Sequence, residues 1–234
     1  MWKIYLSTIL TMALNLTFLS PIVAETNLPE APNTGKPETE TQPGGTRTGD
    51  LDYHTCNPDA NRHPVSLLAK DGQDFTTSEY PSFWFYFPYT QQQVESVEFI
   101  LKNPQEDQVI YRTLVSLSNQ PGITAIHLPT QTEYSLELTR DYLWEVIISC
   151  SGNQGNQVKL EGWITRTIID NPESYHSYIE EDIMYDAVTK LAQLYYQYPE
   201  NEQYQTDWQN LLLKLGHQDL VEETLWLELK PITQ

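Results

Sequence analysis

The stretch Tyr80-Pro81-Ser82-Phe83-Trp84-Phe85-Tyr86-Phe87-Pro88-Tyr89 decides the fold class of this chain. Side chains of a β-strand alternate between two faces, so Phe83, Phe85 and Phe87 share one face while Trp84 and Tyr86 share the other. We expect one of these faces to fill a hydrophobic core. The other face is either covered by a second element or exposed, and the pattern leaves both arrangements open.

The strand pattern continues on both sides of this run, from about residue 65 to residue 166. Further segments with a period of two are separated by turn residues such as Asn103 to Asp107 and Pro121-Gly122. These segments are Val94 to Leu101, Ile110 to Leu117, Ile123 to Leu128, Tyr142 to Cys150 and Lys159 to Ile169. Several short strands at this spacing predict a mainly β fold: an antiparallel β-sandwich of the immunoglobulin or fibronectin kind.

The C-terminal part changes to a helical period. The segments Ser177 to Glu180 and Thr206 to Gln209 match the capping box that opens a helix, and Pro199 and Gly216 are typical of helix ends. An apolar stripe follows each predicted start: Ile183, Ala187, Leu191, Leu194, Tyr195 and Tyr198 in the first helix, and Trp208, Leu211, Leu212 and Leu215 in the second. The pattern therefore predicts a helical hairpin over residues 171–234, packed on the sandwich. Within it, Leu220 to Leu229 is ambiguous, and we expect a short helical turn followed by a strand around Trp226.

The N-terminus has the parts of a secretory signal peptide. Lys3 precedes an apolar stretch that ends before Ala24, after which we expect cleavage. A retained membrane anchor is the alternative, but the apolar stretch is shorter than the ~20 residues that span a bilayer. We therefore predict a signal peptide at 1–24, a disordered linker rich in Pro, Thr and Gly at 25–50, a β-sandwich domain at 51–170, and an exported protein in the periplasm or outside the cell.

Charge excludes one class of partner. The chain of 234 residues carries 13 Lys and Arg against 32 Asp and Glu, a formal net charge of -19. Binding to nucleic acid needs a cationic surface, which this composition does not favour. The same repulsion disfavours docking on anionic lipids. We expect no nucleic acid partner and no stable membrane insertion after cleavage.

Cys56 and Cys150 are the two cysteines of the chain. In an oxidising compartment an even number of cysteines favours pairing, so we predict a disulfide between them. A reactive thiol or a metal site is the alternative, but no CxxC motif occurs, and His54 near Cys56 supplies only part of a zinc ligand set.

Several segments together resemble the cyanobacterial family known as domain of unknown function 928. They are Tyr80 to Tyr89, Ile110 to Thr113, Pro121 to Ile123, Tyr142 to Trp144, Glu161 to Ile164, Leu191 to Leu194 and Trp208 to Gly216. The resemblance covers roughly residues 51–225 and departs from the family at Glu222-Glu223-Thr224. It implies an exported protein with no assigned activity and no catalytic residues to carry over. Its members often occur near genes for large secreted proteins, which hints at an exported partner.

No motif for catalysis, for a metal or for a cofactor is present. The sequence lacks HExxH, GxSxG and a phosphate-binding loop, and its histidines are scattered, which favours solvated side chains. Asp71-Gly72-Gln73-Asp74 lacks the ligand pattern of an EF-hand and is interpreted as a hairpin turn. We expect no enzyme, no metal and no cofactor.

These observations favour an exported, non-catalytic interaction module that binds another exported protein in the cell envelope. The alternative is a carbohydrate-binding or carbohydrate-active protein that uses Trp84, Tyr86 and Tyr89 as an aromatic platform, with acids such as Glu79 beside it. Solvent exposure of Trp84 and Tyr86 discriminates between the two, because only an exposed ring can stack on a sugar.

Overall fold

The computed structural model describes residues 56, 62–68, 73–152, 157–170, 172, 174–226 and 230–231. The predicted signal peptide and linker lie outside these ranges, as does the centre of the expected turn at Asp71-Gly72. In chain order the strands are β1 (Val65–Ser66), β2 (Gln73–Thr76), β3 (Ser82–Phe87), β4 (Val94–Asn103), β5 (Gln108–Ser116), β6 (Gly122–His127), β7 (Asp141–Cys150), β8 (Gln157–Arg166) and β9 (Lys230–Pro231).

These strands form two sheets in a sandwich-like, mainly β arrangement. The larger sheet has the order β2-β8-β7-β4-β5-β9, and the smaller sheet has the order β1-β3-β6. The predicted antiparallel pairing holds for β4, β5, β7 and β8. Strand β2 differs, because it lies parallel to β8. The large sheet is therefore mixed at that edge.

Strand β3 runs through the middle of the molecule. Phe83 and Phe85 face the larger sheet, where their ring centroids lie 4.8 Å from Phe99 and 5.4 Å from Trp144 respectively. Trp84 points the other way and meets Trp208 of the helical part at 6.4 Å. Both faces of this strand are buried, one against the larger sheet and the other against the helices.

Three helices follow the sheets in the described part of the chain: α1 (Tyr175–Glu180), α2 (Met184–Gln197) and α3 (Glu202–Lys214). Helix α2 packs on β2 and β3 and also against α3. The apolar stripe predicted for α3 is buried at Trp208, Leu211, Leu212 and Leu215. The helices therefore cover the side of β3 that the larger sheet leaves open.

Both predicted capping boxes are wrong as helix starts. Ser177 lies inside α1, which ends before a break where Asp182 has φ 58°, and α2 begins at Met184. Helix α3 begins four residues before Thr206, because the side chain of Asn201 accepts hydrogen bonds from the backbone of Gln203 and Tyr204. The motif Ser/Thr-x-x-Glu/Gln also fits within a helix, and tertiary contacts decide which cap is used. Gly216, with φ 84°, follows the end of α3 as predicted.

The segment after α3 lies along the free edge of β6. The backbone N–H of Ile123 donates to Thr224 O at 2.8 Å, and the N–H of Trp226 donates to Ile123 O at 2.7 Å. A short 3₁₀ turn (Gln218–Leu220) comes before this contact. The expected helical turn lies at Gln218–Leu220, but around Trp226 the described residues form only an isolated bridge, between Leu225 and Ile123, in place of the expected strand. Gly122 permits the close approach, since a Cβ there would lie 2.5 Å from Trp226 Nε1.

A disulfide joins Cys56 to Cys150, whose Cα atoms are 4.8 Å apart. It attaches the chain that precedes β1 to the end of β7, the central strand of the larger sheet. The predicted pairing is confirmed. Among the described residues, no helix is both long and apolar enough to cross a membrane.

Candidate binding surfaces

The aromatic platform expected at Trp84, Tyr86 and Tyr89 does not exist as a surface. These side chains are only 1%, 3% and 1% exposed. Trp84 Nε1 donates to Thr189 Oγ1 of α2 at 2.9 Å, and Tyr86 OH accepts from Arg62 at 3.3 Å. The platform prediction is wrong because helices α2 and α3 need an apolar floor and use this strand for it.

An exposed group of tyrosines lies elsewhere, at the end of α2. Tyr196 is 55% exposed and Tyr198 is 50% exposed, while Tyr195 is half-buried with its ring centroid 6.3 Å from Trp208. Together with Pro199 and with Glu222, Glu223, Thr224 and Leu225 of the C-terminal segment, Tyr195 and Tyr196 line a groove of about 450 Å³. We call this the tyrosine groove. The sequence reasoning missed it, because it assigned Tyr195 and Tyr198 to the apolar stripe that faces the core.

The tyrosine groove has an acidic rim. Glu222 and Glu223 lie on one wall, and the exposed Glu200 follows Pro199 directly in the chain. Glu223 also forms an ion pair with Arg62, which fixes this wall to the chain ahead of β1. Exposed aromatic rings beside carboxylates suit a partner that presents both apolar surface and positive charge.

A second concave site lies between the segment 76–82 and one face of α1 and α2. Its volume is about 320 Å³, and its lining carries mostly hydroxyl, amide and charged groups. We call it the polar cavity. The residues used below are Thr77, Ser82, Tyr178, Asp186, Lys190 and Gln193. None of them was a candidate at the sequence level, because they come from segments about a hundred residues apart in the chain.

The walls of the polar cavity are held by a dense set of hydrogen bonds. Asp186 accepts from Thr76 Oγ1 at 2.7 Å, from Thr77 N at 3.0 Å and from Thr77 Oγ1 at 2.8 Å. Asp186 lies in the first turn of α2, where a carboxylate is also favoured by the helix dipole. On the floor, Ser82 Oγ and His127 Nδ1 are hydrogen-bonded at 2.6 Å across β3 and β6.

Two histidines are less solvated than the sequence indicates, whereas His63 and His176 are exposed as expected. His217 is 8% exposed, and its Nε2 lies 3.1 Å from Leu67 O. His127 is half-buried beside Ser82. Within the described ranges, no three His, Cys, Asp or Glu side chains are grouped so that they could hold a metal ion.

Helices α1 and α3 are linked by a polar cluster. Tyr175 OH donates to Asp207 Oδ2 at 2.6 Å, and Gln203 Nε2 donates to Asp207 Oδ1 at 2.9 Å. Partial burial opposes ionisation of Asp207, but the hydrogen bonds from Tyr175 and Gln203 outweigh burial and hold the pKa of Asp207 below its ordinary value of 3.8. This ionised carboxylate therefore fastens the helical layer.

Comparison with known proteins settles the family. The family described as Domain of Unknown Function (DUF928) matches residues 42–225. The chain belongs to this family. No curated protein and no solved structure matches the chain. The matched range includes the described strands β1 to β8, all three helices and both concave sites, and it ends at Leu225, where the C-terminal segment contacts β6.

Proposed function

We propose that this member of the domain of unknown function 928 family is an exported, non-catalytic interaction module. It binds a basic, extended segment of another exported protein in the tyrosine groove. The observation that carries this proposal is the exposure of Tyr196 in an acid-rimmed groove, with the exposed Tyr198 two positions further along the chain. Tyrosine is enriched at the centres of protein interfaces, because it supplies apolar area and a hydrogen bond at low entropic cost.

Charge supports the choice of partner. The formal net charge of -19 steers cationic segments toward the chain and repels acidic ones. The groove lies between a helix end and an extended segment, so it suits a narrow peptide-like ligand. Arginine or lysine side chains of such a ligand would reach both the carboxylates and the tyrosine rings.

The disulfide supports export. Disulfides persist in oxidising compartments such as the periplasm, and Cys56–Cys150 joins two elements of the folded part. The signal-like segment at 1–24 points the same way, although it lies outside the described residues. A non-catalytic role agrees with the absence of catalytic motifs from the full sequence.

A pair of labelled peptides tests the proposal. We expect a peptide of alternating lysine and proline to bind the mature chain by fluorescence anisotropy, and a glutamate–proline peptide of the same length not to bind. The variant Tyr196→Ala/Tyr198→Ala should lose this binding. Leu213→Ala is the matched control, because Leu213 is an exposed apolar residue (47%) on α3 that does not line the groove.

Two results would contradict the proposal. One is equal binding of the acidic and the basic peptide, or binding of neither. The other is unchanged affinity of the basic peptide in the double tyrosine variant. Site-specific photo-crosslinking from position 196 in the exported fraction then identifies the natural partner, and the lysine–proline peptide should compete with that crosslink.

A further inference from the structure

The polar cavity differs from the tyrosine groove in chemistry and in location. It opens between the segment 76–82 and helices α1 and α2, and its volume of about 320 Å³ is at the lower end of the range for small-molecule sites. That volume suits one small ring rather than a polypeptide segment.

The cavity is built before any ligand enters. Three hydrogen bonds fix the carboxylate of Asp186, and a cross-strand hydrogen bond holds Ser82 to His127. Behind them, Tyr185 OH accepts from Trp144 Nε1 at 2.8 Å, which ties the helical wall to the larger sheet. Groups that are fixed in this way lose little entropy when they bind a ligand.

The rim, in contrast, carries side chains that are available to a ligand. The ammonium group of Lys190 lies 6.0 Å from the ring centroid of Tyr178, and no carboxylate of the described residues is within ion-pair distance of it. The amide of Gln193 makes no side-chain hydrogen bond to a described residue either. In so acidic a chain, an ammonium group without a carboxylate partner at the edge of a cavity is a ready donor.

The charges of the lining select a class of ligand. Asp186 contributes one negative charge and Lys190 one positive charge, so the two cancel. A ligand with a carboxylate would be attracted by Lys190 but repelled by Asp186. A cationic ligand would be attracted by Asp186 but repelled by Lys190. A ligand with many hydroxyl groups satisfies both, because each hydroxyl donates to a carboxylate and accepts from an ammonium, amide or hydroxyl group.

We propose that the polar cavity binds one neutral hexose ring. Its hydroxyl groups would contact Asp186, Lys190 and Gln193, which line the cavity. This site shares no residue with the rejected platform at Trp84, Tyr86 and Tyr89. It is also independent of the tyrosine groove, so a hexose unit of an exported glycan and a basic peptide could be held at the same time.

Titration calorimetry with defined probes tests this site on the mature chain. The probes are D-glucose, D-galactose, D-mannose, D-glucuronate and glycine. We expect at least one of the three neutral hexoses to bind more tightly than glucuronate and glycine. Lys190→Met and Gln193→Ala should each weaken that hexose about 10-fold, the effect of losing one hydrogen bond from a charged or polar group.

Control variants separate a binding effect from a folding effect. Lys214→Met removes an exposed lysine of α3 that does not line the cavity and whose ammonium donates only a solvent-exposed hydrogen bond, to Ile179 O, so hexose affinity should be unchanged. All variants should unfold at the same temperature as the original chain. Tyr196→Ala/Tyr198→Ala should also leave hexose affinity unchanged, so failure of the groove proposal and failure of the cavity proposal are distinguishable.

The proposal is overturned if none of the three hexoses binds at about 100 mM. It is also overturned if glucuronate or glycine binds more tightly than every hexose, because the cavity would then select charge. Hexose binding that persists at full affinity in Lys190→Met and Gln193→Ala would place the sugar elsewhere and would likewise contradict it.

Discussion

Strand β3 and the end of helix α2 are both rich in aromatic residues, yet the structure treats them in opposite ways. Every residue of β3 is buried, whereas Tyr196 and Tyr198 are about half exposed. Strand β3 is the middle strand of the smaller sheet, with the larger sheet on one face and helices on the other. Aromatic density thus marks a core as readily as a binding surface, and the position of a segment among the layers decides which it is.

Reduction of the disulfide is expected to cause the largest loss of stability. Cys56 and Cys150 are separated by 94 positions, and a cross-link over a loop of that length stabilises the fold by roughly 4–5 kcal/mol in the chain-entropy model. We expect dithiothreitol, or the variant Cys56→Ser/Cys150→Ser, to lower the free energy of unfolding in urea by about that amount. An unchanged urea midpoint would show that the disulfide does not stabilise the fold.

Trp84→Ala should rank next. This side chain is 1% exposed, contacts Trp208 and donates to Thr189, so its loss leaves a cavity and removes one hydrogen bond between β3 and α2. Truncation of a buried tryptophan costs about 3–5 kcal/mol, and urea unfolding measures it. The matched variant Tyr196→Ala should cost less than about 0.5 kcal/mol. Similar losses for the two variants would break the contrast between the regions.

Gly122→Ala tests the contact between β6 and the C-terminal segment, which lines the tyrosine groove. A Cβ at this position would approach Thr224 O to 2.6 Å, so the C-terminal segment must move away from β6. We expect a loss of about 1–3 kcal/mol from this overpacking, together with weaker peptide binding, because Thr224 and Leu225 line the tyrosine groove. Gln120→Ala, an exposed neighbour, is the control. Full peptide affinity in Gly122→Ala would show that the groove does not depend on the edge of β6.

Acidic pH is expected to lower the stability by a smaller amount, because it protonates Asp207, which links helices α1 and α3. The pKa of Asp207 is lowered in the folded chain, so its contribution is fully present above the ordinary value of 3.8 and is lost as pH falls through the folded pKa. Urea unfolding at a series of acidic pH values should show that the free energy of unfolding falls less steeply with pH in Asp207→Asn than in the original chain. Parallel declines would mean that Asp207 does not fasten α1 to α3.

The smallest effect on stability is expected from Tyr196→Ala/Tyr198→Ala. Surface substitutions usually change stability by less than about 0.5 kcal/mol, and alanine keeps the backbone N–H of Tyr198 that donates to Leu194 O at the end of α2. The double variant should therefore unfold at the same urea concentration as the original chain while losing the lysine–proline peptide. A large loss of stability would instead place these tyrosines in the core.

The strands of the sandwich could be predicted from sequence because their period is local. The run Phe83 to Phe87 and the disulfide needed only spacing and composition, whereas the turn predicted at Pro121-Gly122 is displaced, because β6 already begins at Gly122. The helix starts could not, because Asn201 competes with Thr206 as a cap and only packing selects between them. The parallel pairing of β2 with β8 also depends on contacts between distant segments.

Both candidate sites escaped prediction for the same reason. Asp186 is hydrogen-bonded to Thr76 and Thr77, which lie 110 and 109 positions earlier in the sequence. Glu223 and Tyr195 line the same groove only because the chain turns back after α3. A sequence pattern shows that Tyr196 and Tyr198 are aromatic, but it does not show that no described element covers them. Trp84 and Tyr86 of the predicted platform lie on β3, where the position of the strand between the larger sheet and the helices buries them.

Hydroxyl-radical footprinting with mass spectrometry tests the central claim most directly, because it measures side-chain accessibility in both regions of the native chain at once. We expect rapid oxidation of Tyr196 and Tyr198, protection of Trp84, Tyr86 and Tyr89, and new protection of Tyr196 and Tyr198 when the lysine–proline peptide is added. Oxidation of Trp84 and Tyr86 as rapid as that of Tyr196, with no change on adding the peptide, would contradict the account.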